Sequence, residues 1–252
     1  MERAFSILRL FTEYSPTWTL SAVARQVDLS TSTCHRIIQA LRAEGYLGRD
    51  EASKQYHLGV AALELGNRAR KSSALTSAAA QALRWLAFAT GETAFLLEPS
   101  EDGRYSVCVD RVEGNQPLRL TVDVGRTVPI HAGAGQKVLL AFMPDSAVET
   151  ILAGPLHKVA RMTITDPKEL RADLALIRSR GWSVSFEESH AGTWAMAIPI
   201  LDSTGHTAAG LALAGPVLRH SAELPDIWRR ECFRAAASVT DALGLHLPGF
   251  LP

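Results

Sequence analysis

A short run of polar side chains, from residue 30 to residue 39, carries donors and acceptors suited to phosphates and to the edges of nucleic-acid bases. Apolar residues at helical spacing fill one face of this segment, so six polar residues share the opposite face: Thr31, Ser32, Thr33, His35, Arg36 and Gln39. A guanidinium pairs bidentately with guanine and an amide with adenine, so Arg36 and Gln39 are candidates for reading bases. Ser30 is predicted to cap the helix, whose free N–H groups favour phosphate. The segment therefore predicts a recognition helix in which Ser30 and these six residues contact duplex DNA.

The preceding residues predict the elements that position this helix. Leu20, Val23 and Val27 fall at helical spacing, and the polar turn at 28–30 interrupts the pattern. Two short helices joined by a tight turn are therefore expected. An apolar stripe over residues 4–11 predicts a first helix that covers the pair.

The residues that follow predict a β-hairpin. Short extended segments flank the polar stretch 49–54 after Gly45, which is typical of the wing of a winged helix-turn-helix. Arg49 and Lys54, at the two ends of that stretch, are available to phosphates. An ordinary bundle of amphipathic helices is the alternative, and a hairpin directly after the second helix argues against it.

Length and composition limit the remaining possibilities. A chain of 252 residues favours two domains, and it contains no apolar run long enough to span a membrane and no secretion signal. We therefore expect a cytoplasmic protein. Cys34, Cys108 and Cys232 are too widely spaced for a disulfide framework or a zinc site and are expected to be reduced, packed thiols. No metal or other cofactor is predicted.

The net charge of zero conceals an asymmetry between the two parts of the chain. Residues 1–72 contain ten Lys and Arg against seven Asp and Glu, whereas the remainder contains sixteen against nineteen. The part with the recognition helix is thus the basic one. Because its excess is modest and phosphate neutralisation supplies most non-specific affinity, two copies of this part are expected on one duplex. This indicates a homo-oligomer.

Hydrophobic patterns divide the chain into three parts. Residues 1–58 form the predicted winged helix-turn-helix, 59–73 a linker helix, and 74–252 an α+β domain with helices packed on an antiparallel sheet. The strands predicted in this domain are 93–98, 105–110, 118–122, 182–186, 195–201 and 207–214. The helices predicted there are 75–90, 136–142, 145–152, 166–180 and 226–243.

Separated segments in both domains resemble the isocitrate lyase regulator (IclR) family of bacterial transcription factors. The first domain is similar through Ser30-Thr-Ser-Thr-Cys-His-Arg36 and Tyr56-His-Leu-Gly59. The second is similar through the stretch 124–135, through Arg180-Gly-Trp-Ser-Val-Ser-Phe-Glu-Glu188 and through 195–202. The resemblance implies a GAF-like second domain that binds a small organic effector and assembles into dimers, often dimers of dimers.

The resemblance also implies where the effector lies. The backbone amides of Ala134 and Gly135 are expected at the start of a helix, where a carboxylate can dock. The other pocket positions carried over from the family are Ser185, Ala195, Ala212 and Ala214, with Leu120 and Val128 as apolar walls.

Four of these positions depart from relatives that bind very small, polar acids. Such relatives tend to have an Asp, a Cys or serines where this sequence has Ser185, Ala195, Ala212 and Ala214. Small, mostly apolar side chains leave a roomier pocket with few polar anchors. The hypothesis is therefore a larger, possibly aromatic, organic acid.

The function predicted from these observations is a ligand-responsive transcriptional regulator that binds a pseudo-palindromic operator. Repression is the commoner mode in such a family, and activation stays open. One alternative is a constitutive DNA-binding protein whose second domain only oligomerises. The other alternative is a metabolic enzyme, which needs a catalytic group that the sequence does not reveal. Glu187 and Glu188 resemble a carboxylate pair for acid-base chemistry, but adjacent residues of a strand point to opposite faces. The predicted partners are duplex DNA, a small organic acid and further copies of the chain, without a membrane.

Overall fold

The chain divides into two units, Met1–Ser72 and Ser73–Pro252, each with its own hydrophobic core. The structure is a computed structural model, and it describes residues 1–12, 15–219 and 224–248, of which 224 and 225 are described by their backbone alone. The helix predicted over 59–73 is present as Val60–Ser72 and falls within the first unit.

The first unit is a winged helix-turn-helix followed by one more helix. Its elements are α1 (Glu2–Leu8), α2 (Leu20–Gln26), α3 (Thr31–Ala43), β1 (Leu47–Arg49), β2 (Tyr56–Leu58) and α4 (Val60–Ser72). β1 and β2 pair as an antiparallel hairpin, which is the predicted wing. The predicted fold of the N-terminal part is confirmed.

Polar caps and a small core define the helix pair. The Thr19 side chain accepts a hydrogen bond at the start of α2, and Ser30 does the same at the start of α3. Asp28 has a φ of 51°, so it supplies the left-handed backbone of the turn between them. Val23 and Ile38 are fully buried in the core of this unit, which holds the two helices together.

One antiparallel sheet organises the described part of the second unit. Its strands are β3 (Thr93–Pro99), β4 (Tyr105–Val112), β5 (Thr127–Pro129), β6 (Ser183–Phe186), β7 (Thr193–Leu201) and β8 (Thr207–Pro216). Their spatial order is β5-β4-β3-β8-β7-β6. β3, β7 and β8 lie at the centre, and their buried side chains are nearly all apolar because helices cover both faces.

The two faces of this sheet carry different helices. The helices of the unit are α5 (Ala74–Thr90), α6 (Ala134–Ala141), α7 (Asp145–Ala153), α8 (Pro167–Arg180) and α9 (Leu224–Leu243). On one face, α5 and α9 enclose a core in which Trp194 stacks on Trp228 with ring centroids 3.7 Å apart. On the other face, Phe95 and Leu97 pack with side chains of α6, α7 and α8. The α+β prediction is therefore confirmed.

One predicted strand, over residues 118–122, is wrong. The alternation of Leu118, Leu120 and Val122 is typical of a strand, but the segment has no extended ladder partner. Side chains satisfy its carbonyl groups instead: the Thr93 hydroxyl donates to the Leu120 carbonyl at 2.6 Å, and the Arg111 guanidinium donates to that of Val122. The edge of β4 pairs with β5 further along the chain.

The described residues lack two features that are typical of whole classes of protein. Within the described ranges, no helix combines the length and the apolar character needed to cross a bilayer. The same residues contain no group of three or more His, Cys, Asp or Glu side chains placed to hold a metal ion.

Candidate nucleic-acid interface and effector cavity

Helix α3 presents the predicted polar face to solvent. Ser30, Thr31, Ser32, His35 and Arg36 are exposed, and Thr33 and Gln39 are half-buried. On the opposite face Cys34 and Ile38 are fully buried in the core. The helix is thereby fixed to the unit by its apolar side, which leaves its polar side available to a partner.

Three polar residues along α3 are linked to one another. The Gln39 amide nitrogen lies 3.1 Å from Nε2 of His35, and Arg42 donates to the Gln39 amide oxygen at 3.3 Å. Within the described residues the Arg36 side chain has no hydrogen-bond or ion-pair partner. Arg36 is therefore the base-reading candidate whose donors all remain available, whereas Gln39 must give up contacts to bind a base.

The two wing residues have different surroundings. The Arg49 guanidinium lies 5.7 Å from the centre of the Tyr56 ring, in the range of a cation–π contact. Lys54 is exposed and pairs with Glu51 at 3.2 Å, a contact that contributes little on a solvated surface. Asp50 turns the hairpin by accepting from Ser53, and these hydrogen bonds hold the pKa of Asp50 below its ordinary value. Both cations sit on an ordered hairpin.

We expect Ser30→Ala to destabilise the first unit through loss of the cap of α3. The Ser30 hydroxyl accepts from the Thr33 amide at 3.3 Å, and removing such a cap costs about 1 kcal/mol. Urea denaturation of the variant is the measurement, with Ser6→Ala as the control because Ser6 is exposed and bonds only to the carbonyl of Glu2 within α1. Equal unfolding free energies for the two variants would contradict the capping role.

The second unit contains a cavity of about 40 Å³ beside α6, room for roughly three water molecules. Apolar side chains from β3, β4 and the segment before β5 form much of its wall, including Phe95, Leu97 and Val122. The polar groups on the wall are Ser106, Arg126, Gln136, Ser189, His190 and Thr193. Cys108 also lies there, and burial raises the pKa of its thiol to about 12, so this group is neutral at physiological pH.

Five of the eight predicted effector positions lie on this wall: Leu120, Val128, Gly135, Ala195 and Ala214. Gly135 has a packing reason to be glycine, because a Cβ there would come within 2.3 Å of a Leu97 methyl group. That close approach lets α6 lie directly on the sheet.

The other three predicted positions lie off the wall. Ser185 accepts the Ala134 amide hydrogen at 2.9 Å, so both groups are engaged at the start of α6. Ala212 is fully buried on β8, and its methyl lies 3.7 Å from where a Cβ of Gly135 would be. Of the predicted pair of anchoring amides, only Gly135 therefore belongs to a residue that reaches the cavity.

A buried ion cluster adjoins the cavity and was not foreseen as a unit from the sequence. The ammonium of Lys137, on α6, lies 2.7 Å from Glu188 and 2.7 Å from Asp173 of α8. Glu188 also accepts the Gly133 amide hydrogen at 3.3 Å. Burial raises the pKa of Glu188, and the charge of Lys137 opposes that shift. The cluster joins α6, α8 and the segment that carries Ser189 and His190 to the cavity wall.

Two family profiles match this chain, and curated relatives of similar sequence match it as well. The profile of the IclR helix-turn-helix domain covers residues 1–51, and that of the bacterial transcriptional regulator IclR C-terminal domain covers residues 68–241. The HTH-type transcriptional regulator BhcR of Paracoccus denitrificans (strain Pd 1222) is 33% identical over 222 residues, which are 88% of this chain and 78% of BhcR. These matches support the predicted transcriptional regulator and not the alternative of a metabolic enzyme.

Solved structures share the fold over nearly the whole chain. An IclR transcriptional regulator from Silicibacter sp. TM1040 superposes with a TM-score of 0.88 at 25% identity, covering 100% of this chain and 98% of that one. An IclR homolog from Microbacterium hydrocarbonoxydans, complexed with 4-hydroxybenzoate, gives a TM-score of 0.78 at 24% identity, with coverages of 96% and 98%. The latter similarity shows the fold alone.

Proposed function

This chain belongs to the IclR family of bacterial transcriptional regulators, and we propose that it represses transcription by binding a pseudo-palindromic operator as a dimer or a dimer of dimers. A small organic acid in the cavity of the second unit weakens that binding. The observation that supports this best is the exposed polar face of α3, with Arg36 unpaired within the described residues. The predicted contacts with DNA are Ser30, Thr31, Ser32, Thr33, His35, Arg36, Gln39, Arg49 and Lys54.

The small positive charge of the first unit implies that two copies of it bind one duplex. Residues 1–72 have an excess of only three positive charges, the difference between ten basic and seven acidic residues. Since each neutralised phosphate adds to affinity, one copy of this unit gives weak binding at physiological salt. Two copies in the major groove bind half-sites about 34–36 Å apart, one helical turn of DNA. A two-fold protein therefore needs a pseudo-palindromic site.

The cavity supports an effector with a substantial apolar part. Its wall is mainly apolar, with the polar groups described above at a few positions, as in most small-molecule sites. Because the present volume corresponds to a few water molecules, an aromatic acid has to displace side chains of the wall when it enters. That displacement gives the ligand unequal affinities for two arrangements of the protein, which is the condition for changing DNA affinity.

The test begins with selection of bound duplexes from a random-sequence library by the purified full-length protein. We expect a pseudo-palindromic consensus whose half-sites lie one helical turn apart, and a complex containing two or four chains. Addition of carboxylic acids, with 4-hydroxybenzoate among them because the Microbacterium hydrocarbonoxydans homolog is complexed with it, then measures release from the selected site. DNA binding that no acid or other metabolite alters would favour a constitutive DNA-binding protein.

We expect Ala195→Leu to abolish the effector response while DNA binding persists. Ala195 is half-buried on β7 and lies on the cavity wall, so three added carbon atoms occupy space that the ligand needs. Overpacking of this kind costs about 1–3 kcal/mol of stability, which leaves most domains folded. Ligand-dependent release from the selected site is measured for this variant and for the control Ala191→Leu, at an exposed residue off the wall. A normal response from Ala195→Leu would place the effector elsewhere.

A further inference from the structure

We propose that Arg126 selects the effector's chemical class, and that the cavity takes a monocarboxylic acid whose carboxylate pairs with this guanidinium while its apolar body lies against Phe95, Leu97 and Val122. This inference rests on the proposed function, since it concerns the same cavity. It differs from the sequence-based expectation in the anchor, which moves from the helix amides at Ala134 and Gly135 to a side chain.

The charges on the cavity wall carry the inference. Arg126 is the one Lys, Arg, Asp or Glu side chain among the described residues that form the wall. Cys108 contributes a neutral thiol there, so no neighbouring wall group carries a full negative charge. A carboxylate that leaves water for an apolar site needs a charged partner or several donors. Among the described wall residues Arg126 alone supplies a full charge, so the wall offers one cationic anchor for a carboxylate and no second one for a dicarboxylate.

The backbone places Arg126 at this position. Gly125, with a φ of 88°, donates its amide hydrogen to the Cys108 carbonyl at 2.7 Å, and the Cys108 amide donates to the Arg126 carbonyl at 3.0 Å. Two main-chain hydrogen bonds to Cys108 of β4 thus hold the turn. Arg126 is half-buried, and its Nε atom is shielded from solvent. The main chain therefore fixes the point from which the Arg126 side chain leaves the turn.

The guanidinium has enough donors for a ligand in addition to its contacts within the protein. Arginine offers five N–H groups in a fixed fork, and a carboxylate needs two of them for a bidentate pair. Gln136, whose amide nitrogen donates to the Ser106 hydroxyl at 2.9 Å, places a further polar group on the same wall. The remainder of the wall is largely apolar. An acid with a polar end and an apolar body matches this division.

Matched pairs of acids and amides test the inference on the full-length protein. The pairs are benzoate and benzamide, 4-hydroxybenzoate and 4-hydroxybenzamide, and hexanoate and hexanamide, with affinity measured by calorimetry and by the shift in melting temperature. We expect at least one acid to bind and its amide to bind at least about tenfold more weakly, as loss of a charge-assisted pair predicts. The Arg126→Gln variant is expected to bind that acid more weakly than the wild type by a similar factor, and Arg126→Lys is expected to lose less affinity.

Arg104→Gln is the matched control, because Arg104 is exposed and lies off this cavity wall; it should bind the acid as the wild type does. Equal affinities for acid and amide, an unchanged acid affinity in Arg126→Gln, or no binding by any acid would each overturn the inference. If Arg126→Gln fails to fold, the acid and amide comparison on the wild type and the Arg126→Lys variant still decide it. The proposed function is judged separately: release from the selected DNA site by an uncharged ligand would sustain it while Arg126 loses its role.

Discussion

Arg36→Ala is expected to abolish sequence-specific DNA binding while the protein folds and associates as before. A bidentate arginine–guanine contact gives about 1–3 kcal/mol of discrimination, and a two-headed complex loses it twice. Since Arg36 is exposed and has no partner within the described residues, its removal leaves no buried group unsatisfied. The free energy of unfolding should therefore change by less than about 0.5 kcal/mol.

The side-chain contacts on α3 make Arg36 a better candidate than Gln39 for contacting a base. Gln39 is held by His35 and Arg42, so Gln39→Ala removes a residue that must first leave its partners. Its loss is expected to relax preference at one base position with a smaller effect on affinity. Lys54→Ala differs from both, because loss of a phosphate contact weakens all duplexes alike and reduces the salt dependence of binding.

Binding to the selected site and to an unrelated duplex, measured at several salt concentrations, distinguishes these outcomes. The control is Arg68→Ala, an exposed arginine of α4 paired with Glu64 at 3.1 Å. If Arg36→Ala bound the selected site as tightly as Arg68→Ala, with an unchanged footprint, α3 would not be the recognition helix.

Helix α3 was predictable because its determinants are local. Ser30 and the apolar spacing of Cys34 and Ile38 fix the start and the buried face of α3 within one stretch of sequence, and the structure has both. The false strand at 118–122 shows the limit of that reasoning. Its alternation is real, but a strand also needs a neighbour, and the distant Thr93 and Arg111 side chains bind its carbonyl groups instead.

The cavity was predictable only in part, because its wall brings together residues far apart in the chain. Resemblance supplied Ala195 and Ala214 on the sheet, which lie on the wall. Arg126 follows a glycine turn and shows no periodicity that would place it inside. Nor does any spacing reveal that Ser185 occupies the Ala134 amide, since β6 and α6 meet only in the folded sheet. Such tertiary pairings decide which polar groups remain for a ligand.

Lys137→Met is expected to destabilise the protein by about 3–5 kcal/mol, the usual result of removing one partner of a buried ion pair. Lys137 is 1% exposed, and its ammonium lies between Glu188 and Asp173. Methionine keeps the apolar part of the side chain and most of its length, so the loss is mainly electrostatic. Two carboxylates are then left close together without a cation between them.

The pH dependence separates this electrostatic loss from simple mispacking. Burial already raises the pKa of Glu188, and loss of Lys137 removes the charge that opposes the rise. A carboxyl whose pKa is higher in the folded state than in the unfolded state favours folding when protonated. Its contribution to the free energy of unfolding falls as the pH rises from the pKa in the unfolded state, near 4.3, through the higher pKa in the folded state. The deficit of Lys137→Met should therefore shrink as pH falls towards 4.3.

Urea denaturation of wild type and variant across this pH range measures the deficit, with Lys168→Met as the control because Lys168 is exposed on the same helix as Asp173. A Lys137→Met and Glu188→Gln double variant should recover part of the stability, since it removes one of the two stranded charges. A deficit that is constant with pH and unrelieved in the double variant would mean that Lys137 acts by packing alone. Glu188 directly precedes Ser189 and His190, which lie on the cavity wall. If Lys137 acts electrostatically, we therefore also expect Lys137→Met to weaken the effector response more at neutral pH than at acidic pH.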